Sequence, residues 1–236
     1  MPGVQYLRGE AYASYTGQSW ERLDAAALVE LAGELGEWSL NTPLFFPAAA
    51  TAEQPSHSLT ITHIDRPSAM IYTPYQPAAL TGSIQDAQLT GDSALRLTDA
   101  RWSYTVPFLP AEPAPLSQDS PLTQMEQAYR QFVYQHYLDV PASTAAALSR
   151  WRSQAEAQAG VSQAADSSGP YGDVLTQAAR VAELLAATTE YDLDTPRMEA
   201  GSDFAVYFLE EAHRGYCMHY ASAAALLLRL EGIPTR

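Results

Sequence analysis

Lysine is absent. All 13 basic side chains among the 236 residues are arginines, set against 27 aspartates and glutamates for a net charge of −14. A chain this acidic is a poor partner for nucleic acid, where affinity comes mainly from neutralising phosphates. It is equally unsuited to anionic membrane surfaces. The excess negative charge reads most simply as a solubility feature. Cysteine is nearly absent too. The single Cys217 excludes an internal disulfide and leaves the redox compartment unread. No apolar run approaches the ~18 residues that a membrane span needs. The opening MPGVQYLRGEAY lacks a signal-peptide profile, so read literally the chain is soluble. Metal-ligand spacing is also missing. Asp192, Asp194, Glu210 and Glu211 lie close together but read as a solvated acidic edge, and no cofactor or metal is expected.

What is present suffices for a core, since 47% of the residues are hydrophobic. Residues 4–20 read as β structure, with strand formers at Val4, Tyr6, Tyr12, Tyr15 and Trp20 and a turn at Thr16-Gly17. Asp24 caps a short helix with apolar spacing at Leu28, Leu31 and Leu35. Residues 41–56 read as loop. Strands follow at 58–62, 69–73 and 95–106, the last with Trp102, Tyr104 and Val106 on one face. Tyr72 and Tyr75 read as packing residues in preference to a binding surface. Pro107, Pro110, Pro113, Pro115 and Pro121 mark a linker.

Beyond it the pattern turns helical. Leu122, Met125, Tyr129, Phe132, Val133 and Tyr137 form one stripe. A second helix runs over 144–158 with Ser143 as its cap, and 160–170 is a polar loop. A third covers 173–187, with Val174, Leu175, Ala178, Val181 and Leu185 on one side. A short β-prone piece at 190–193 precedes a helix over 204–212, capped by Ser202 or Asp203. The expected organisation is a β-rich domain over 1–110, a linker over 111–121 and a helical domain over 122–236.

The chain is organised around the stretch Arg214-Gly215-Tyr216-Cys217-Met218-His219-Tyr220-Ala221-Ser222. Gly215 is suited to ending the preceding helix. An apolar run from Ala223 to Leu230 leads to the stop signals Gly232 and Pro234. This spacing predicts Cys217 in the first turn of a helix apolar all round, and therefore buried and central. A helix N-terminus offers unpaired N–H groups and the positive end of the macrodipole, which favours thiolate. Cys217 is thus a candidate nucleophile; the competing reading is a small buried apolar residue.

Asp203 to Arg236 resembles the cysteine motif of bacterial transglutaminase-like proteins. Phe208, Leu209, Arg214, Gly215, Tyr216, Cys217, Tyr220, Ala221, Gly232, Ile233, Pro234 and Arg236 fit the pattern. Met218 departs from it, where many relatives carry Glu. The resemblance implies an α+β fold: an antiparallel β-rich N-terminal domain followed by the helical half of a papain-like transglutaminase domain. It implies acyl transfer through a thioester on Cys217, acting on protein or peptide amides, with amine or water as acceptor. It further implies a His and an Asp on strands beyond the cysteine helix. His57, His63, His136, His213 and His219 all lie upstream or within the motif, so none matches that His. His219 sits two residues from Cys217, which places the pair on nearly opposite sides of a helix; His213 precedes the helix, and no spacing requires its approach. The chain accordingly reads as part of an enzyme, inactive by itself, with Cys217 accessible to iodoacetamide and an apolar face open to self-association. Tyr6 to Leu23 is similar to the segment following the last N-terminal span in membrane-anchored members, which implies an extracytoplasmic position. The alternative is a transglutaminase-like module that has lost catalysis and serves for structure or binding. A cell-wall peptidase of another papain-like group also puts Cys at a helix start, but the flanking motifs argue against it.

Overall fold

In the computed structural model, the described residues are 7–35, 57–74, 77–78, 80–91, 94–108, 121–159 and 172–236. The readings of a loop over 41–56, of packing at Tyr75, of most of the proline-rich stretch and of the loop over 160–170 fall outside them. The protein is α+β, as expected, and forms two compact units: Met1–Ala11 with Arg22–Phe132, and Tyr12–Glu21 with Val133–Arg236.

The first unit is β-rich. Asp24 accepts the Ala26 N–H at 3.1 Å and opens α1 (Ala25–Leu35), which buries Ala27 and Leu31. Strand β3 (His57–Thr62) pairs antiparallel with β7 (Ser103–Phe108), from His57 opposite Phe108 to Thr62 opposite Ser103. A second antiparallel sheet has the order β4 (Ser68–Ile71), β6 (Ala94–Arg101), β5 (Gln88–Thr90). The two sheets share one buried cluster of Ile71, Ile84, Ala87, Leu95, Leu97, Tyr104 and Val106. Tyr104 and Val106 alternate inward as expected. Trp102 does not. The single strand expected over 95–106 is two, and Trp102 is the residue between them, 56% exposed, where the chain passes from one sheet to the other. Its carbonyl accepts the His63 N–H at 2.8 Å. Burial pushes the Tyr104 hydroxyl up to about 12, and this group receives the Tyr72 N–H at 2.6 Å. Pro107 and Pro121, read from sequence as linker, sit inside elements. Pro107 stands in β7 of a two-stranded sheet, and Pro121 opens α2 (Pro121–His136), a position where a missing N–H costs nothing.

The second unit is helical, and its first piece comes from far upstream. The hairpin β1 (Ser14–Tyr15) and β2 (Trp20–Glu21) turns at Thr16-Gly17, whose glycine has φ 91°. Sequence alone groups this hairpin with the β-rich half, whereas Tyr15 is buried in the helical cluster and Trp20 packs against it. Helix α3 (Ala142–Ala159) begins one residue before Ser143. The Pro141 carbonyl accepts the Ala145 N–H at 2.8 Å, so Ser143 is not the cap. Helix α4 (Gly172–Thr188) buries Val181, Leu184 and Leu185, but Val174 and Leu175 are exposed because its first turn lies outside the cluster. A short parallel pair, β8 (Glu190–Tyr191) with β9 (Arg214–Gly215), follows. Between these strands lie α5 (Phe204–Tyr207) and a π-helical turn (Phe208–Ala212). The unit closes with α6 (Cys217–Leu230), packed on α3, α4 and α5. No helix among the described residues is long and apolar enough to cross a membrane.

Candidate functional site

Cys217 is the first residue of α6, after Tyr216 in extended conformation, and its side chain is exposed. The first-turn N–H groups of any helix lack an i−4 carbonyl, so this thiol stands at a group of backbone donors. The helix is fixed beneath it at both ends. At the start, the His219 Nδ1 accepts the Tyr216 N–H at 3.3 Å, and the His219 N–H donates to the Tyr216 carbonyl at 2.9 Å, so imidazole here takes the part of the usual carboxyl. At the finish, Ile233 N–H reaches the Leu228 carbonyl at 3.0 Å and Gly232 N–H the Arg229 carbonyl at 2.9 Å. This closure requires the left-handed φ of 77° at Gly232. Ala223, Leu226 and Leu227 of α6 are completely buried. The helix is not buried all round, however. Met218 and Ala221 share the exposed side with Cys217, and the alanines of this helix leave little apolar area in need of cover.

Gly215 plays a different part from the helix stop expected of it. The preceding turn ends at His213, which takes the left-handed conformation itself (φ 51°) and donates its N–H to the Phe208 carbonyl at 2.9 Å. Gly215 lies buried in β9, and a Cβ there would sit 2.6 Å from His219 Cγ and 2.9 Å from the Phe208 ring. Both are packed side chains, so Gly215→Ala is expected to cost about 2 kcal/mol of unfolding free energy, measured by denaturant titration.

His219 is 8% exposed. It stacks on Phe204 with ring centroids 4.5 Å apart and meets the edges of Phe208 and Tyr216. Burial lowers its pKa below the usual 6.5. The accepted N–H fixes the proton of the neutral ring on Nε2. Neutral, capped and packed, this imidazole is a structural part of the helix start. Its linkage has a definite sign. With the folded value below the unfolded one, its contribution is present above pH 6.5 and is lost as pH falls from there through the folded value. His219→Gln is therefore expected to flatten the stability-versus-pH curve below pH 6.5, read as the difference between the two proteins' chemical unfolding curves.

The wall beside Cys217 is the β8–β9 pair. Glu190 N–H donates to the His213 carbonyl and Asp192 N–H to the Gly215 carbonyl, both at 2.8 Å. Tyr191 packs its ring 5.9 Å from that of Tyr220 on α6. Asp192 lies 3.6 Å from Arg214 and accepts the Asp194 N–H, and both acidic side chains face outward without forming a cage. Among the described residues no group of three potential ligands could hold a metal ion. A cavity of about 750 Å³ lies on the α3–α4 side of the π-turn, lined by Trp151, Gln154, Gln158, Thr188, Glu210 and His213; Cys217 is not part of its lining.

Two anchors escaped the sequence reading of this region. Asp203 does cap α5, as expected, accepting Ala205 and Val206 N–H at 3.0 and 3.1 Å, but it also joins Tyr15 and Thr144. Arg229, in the last turn of α6, is 3% exposed, with its guanidinium 5.0 Å above the Trp20 ring. Partners this far apart in sequence leave no local pattern by which to find them.

Fold and site together define an α+β protein whose helical unit carries a lone cysteine at the exposed start of an otherwise anchored helix. Residues 161–236 match the model of the transglutaminase-like superfamily. The chain is similar in fold to a crystal structure of the periplasmic domain of TgpA from Pseudomonas aeruginosa. The identity is 20% and the TM-score 0.52, over 98% of this chain and 66% of that one, just under two thirds of its length. The same domain bound to ethylmercury aligns at 20% identity and TM-score 0.48, over 98% of this chain and 67% of that one. No curated protein sequence matches this one.

Proposed function

We propose that Cys217 is the nucleophile of a cysteine acyl-transfer domain acting on peptide or glutamine amides. The observation that carries this reading is an exposed thiol at the first position of α6, with the rest of that helix capped at both ends and packed below it. Such anchoring holds a sulfur in one place, as attack on a carbonyl carbon requires. The sulfur adds to the amide carbon, the C–N bond breaks as the leaving amine takes a proton, and a thioester remains. A second amine or a water then attacks the thioester and returns the thiol. The backbone N–H of Cys217, at the first position of α6, supplies a donor for the oxyanion. The superfamily's strand-borne His and Asp serve as base and orienting acid in this scheme; no residue of this sequence matches them, and His219 is committed to the helix cap. The similarity to a periplasmic domain supports a place of action outside the cytoplasm, and the resemblance of Tyr6 to Leu23 to membrane-anchored members is what suggests an anchored parent.

The commitment of His219 also favours a second reading, a transglutaminase-like binding module whose cysteine is accessible without being catalytic. An activated acyl donor separates the two. The acyl-transfer reading expects p-nitrophenyl acetate to leave one acetyl group on Cys217, released by hydroxylamine and lost entirely in Cys217→Ala, as read by intact mass. A Cys217 that iodoacetamide alkylates under native conditions but that never takes the acetyl group would establish the binding module instead.

A further inference from the structure

We propose that His219 is a positioning residue for acyl transfer: its unprotonated Nδ1 clamps the Tyr216–Cys217 peptide in the orientation that aims the Cys217 N–H at the oxyanion, and protonation releases the clamp. The inference deepens the acyl-transfer reading by naming a control on its site, and it rests on that reading. It starts from the two polar backbone groups of Tyr216. The Tyr216 N–H donates to His219 Nδ1 at 3.3 Å, and the Tyr216 carbonyl accepts the N–H groups of His219 at 2.9 Å and Tyr220 at 3.3 Å. His219 therefore bonds both ends of the extended residue that precedes the thiol. The Tyr216 carbonyl and the Cys217 N–H belong to one planar peptide unit. Holding Tyr216 thus sets the direction of that N–H and the point from which the Cys217 side chain leaves the helix. Cys217 and His219 themselves diverge, being two residues apart on α6, so the imidazole acts through the backbone and not by taking the thiol's proton.

The ring is confined on every side that would let it escape the clamp. Its centroid lies 4.5 Å from that of Phe204, 5.3 Å from Phe208 and 4.6 Å from Tyr216, and it rests on Gly215, where a Cβ would fall 2.6 Å from its Cγ. A ring so packed cannot swing its nitrogen away from the Tyr216 N–H. When Nδ1 takes a proton, two N–H donors face each other in a buried place and their bond is lost. What yields is the Tyr216 backbone, which follows a strand of only two residues. The groups that face the ring bring no compensating charge. Phe204 and Phe208 carry none, and Tyr216 brings a phenol, neutral in acid. On the flanking elements, the Asp203 carboxylate accepts from Ala205, Val206 and Thr144, while Glu210, Glu211, His213 and Arg214 are exposed. With its pKa lowered by burial, the ring stays neutral until pH falls below the ordinary 6.5.

The test compares two reagents that both consume the thiolate, so its population cancels from the ratio of their rates. Iodoacetamide alkylates sulfur by displacement and develops no oxyanion. p-Nitrophenyl acetate passes through one, leaving an acetyl group on sulfur as nitrophenolate departs. Both rates are read on the whole chain by intact mass, with Cys217→Ala as the blank and near-ultraviolet circular dichroism to show that the protein is folded. The ratio of acetylation to alkylation is expected to be level from about pH 8 down to 6.5 and to fall about tenfold by about pH 5, a part of what one oxyanion donor contributes. His219→Asn places an amide oxygen as far from Cβ as Nδ1 stands, an acceptor that does not titrate. Its ratio should match the parent near neutrality and stay level in acid. His219→Phe keeps an aromatic ring in the packing but offers no acceptor, and its ratio should be low at every pH. A role in packing alone expects the reverse, with phenylalanine close to the parent and asparagine impaired. The parent's own profile carries the test if either variant fails to fold. A parent ratio level down to about pH 5, or one equal to that of His219→Phe, overturns the proposal and leaves acyl transfer in place. Alkylation without acetylation at any pH sinks the acyl-transfer reading, and the proposal with it.

Discussion

Replacing Arg229 with alanine is expected to cost about 3–4 kcal/mol of unfolding free energy. Arg229 is 3% exposed, and among the described residues no carboxylate pairs with its guanidinium at contact distance. It is satisfied by carbonyls: Nη1 donates to Asp139 at 2.9 Å, Nη2 to Thr235 at 2.5 Å and Nε to Thr235 at 3.2 Å, with the Trp20 ring covering its face. Burial lowers its pKa to about 10, which leaves it charged at neutral pH. The bonds tie three separate parts of the chain together. Thr235, held by Arg229, also donates its N–H to Tyr137 at 3.1 Å and its hydroxyl to Ala225 at 2.9 Å, folding the Gly232–Arg236 tail back along α6. Alanine leaves the two carbonyls without their donor and opens a void under Trp20, so both terms act in the same direction. Lysine keeps the charge but has no planar fork to reach Asp139 and Thr235 together, and it should lose about half as much. The midpoint of denaturant unfolding should move in the order arginine, lysine, alanine with little change in slope. An alanine variant as stable as the parent would show that the clasp contributes nothing net.

How much of this was legible in the sequence follows a physical division. Signals complete within a few residues were readable: the Thr16-Gly17 turn, the Asp24 and Asp203 caps, the alternation over 58–62, and Cys217 at the start of a helix ended by Gly232. Each is a local bond or dihedral demand. Signals that depend on a distant partner were not. Trp20 looks like any strand aromatic, yet its indole N–H donates to Ser222 at 2.9 Å across 202 residues. Trp102 shares the strand pattern of its neighbours, but its position between two sheets depends on which strands β6 and β7 pair with. Gly215 reads as a helix stop because glycine commonly serves that purpose; the structure uses it for close packing against His219 and Phe208, which no spacing announces. The cysteine's location was legible because one helix start fixes it. The position of Tyr191 was not, because only the β8–β9 register sets it opposite Gly215, two residues before the thiol.

Removing the Asp203 carboxylate should be nearly as costly as removing Arg229, about 3 kcal/mol for Asp203→Ala. Oδ1 accepts the Ala205 and Val206 N–H groups, and Oδ2 accepts the Thr144 hydroxyl at 2.6 Å. The Tyr15 hydroxyl lies 2.9 Å from Oδ1 and from the Gly17 carbonyl, and itself accepts the Ala205 N–H at 3.0 Å. Burial, with the carboxylate adding to it, pushes this hydroxyl far above its ordinary value, so it stays a donor at any pH of interest. Loss of a cap alone accounts for about 1 kcal/mol. The remainder comes from the hydroxyls of Thr144 and Tyr15, residues 1% and 4% exposed, each losing an acceptor in a dry setting. Asp203→Asn keeps an acceptor for the helix but gives up the charge, so an intermediate loss is expected. Tyr15→Phe and Asp203→Ala share the interaction they remove, so the double variant should lose less than the sum of the singles by about 1 kcal/mol. Additive losses would mean that hairpin and helix start are held independently. Because α5 leads through the π-turn and β9 directly into Cys217, the same Asp203→Ala protein should also show faster hydrogen exchange over 204–216, the backbone that delivers the thiol to its position.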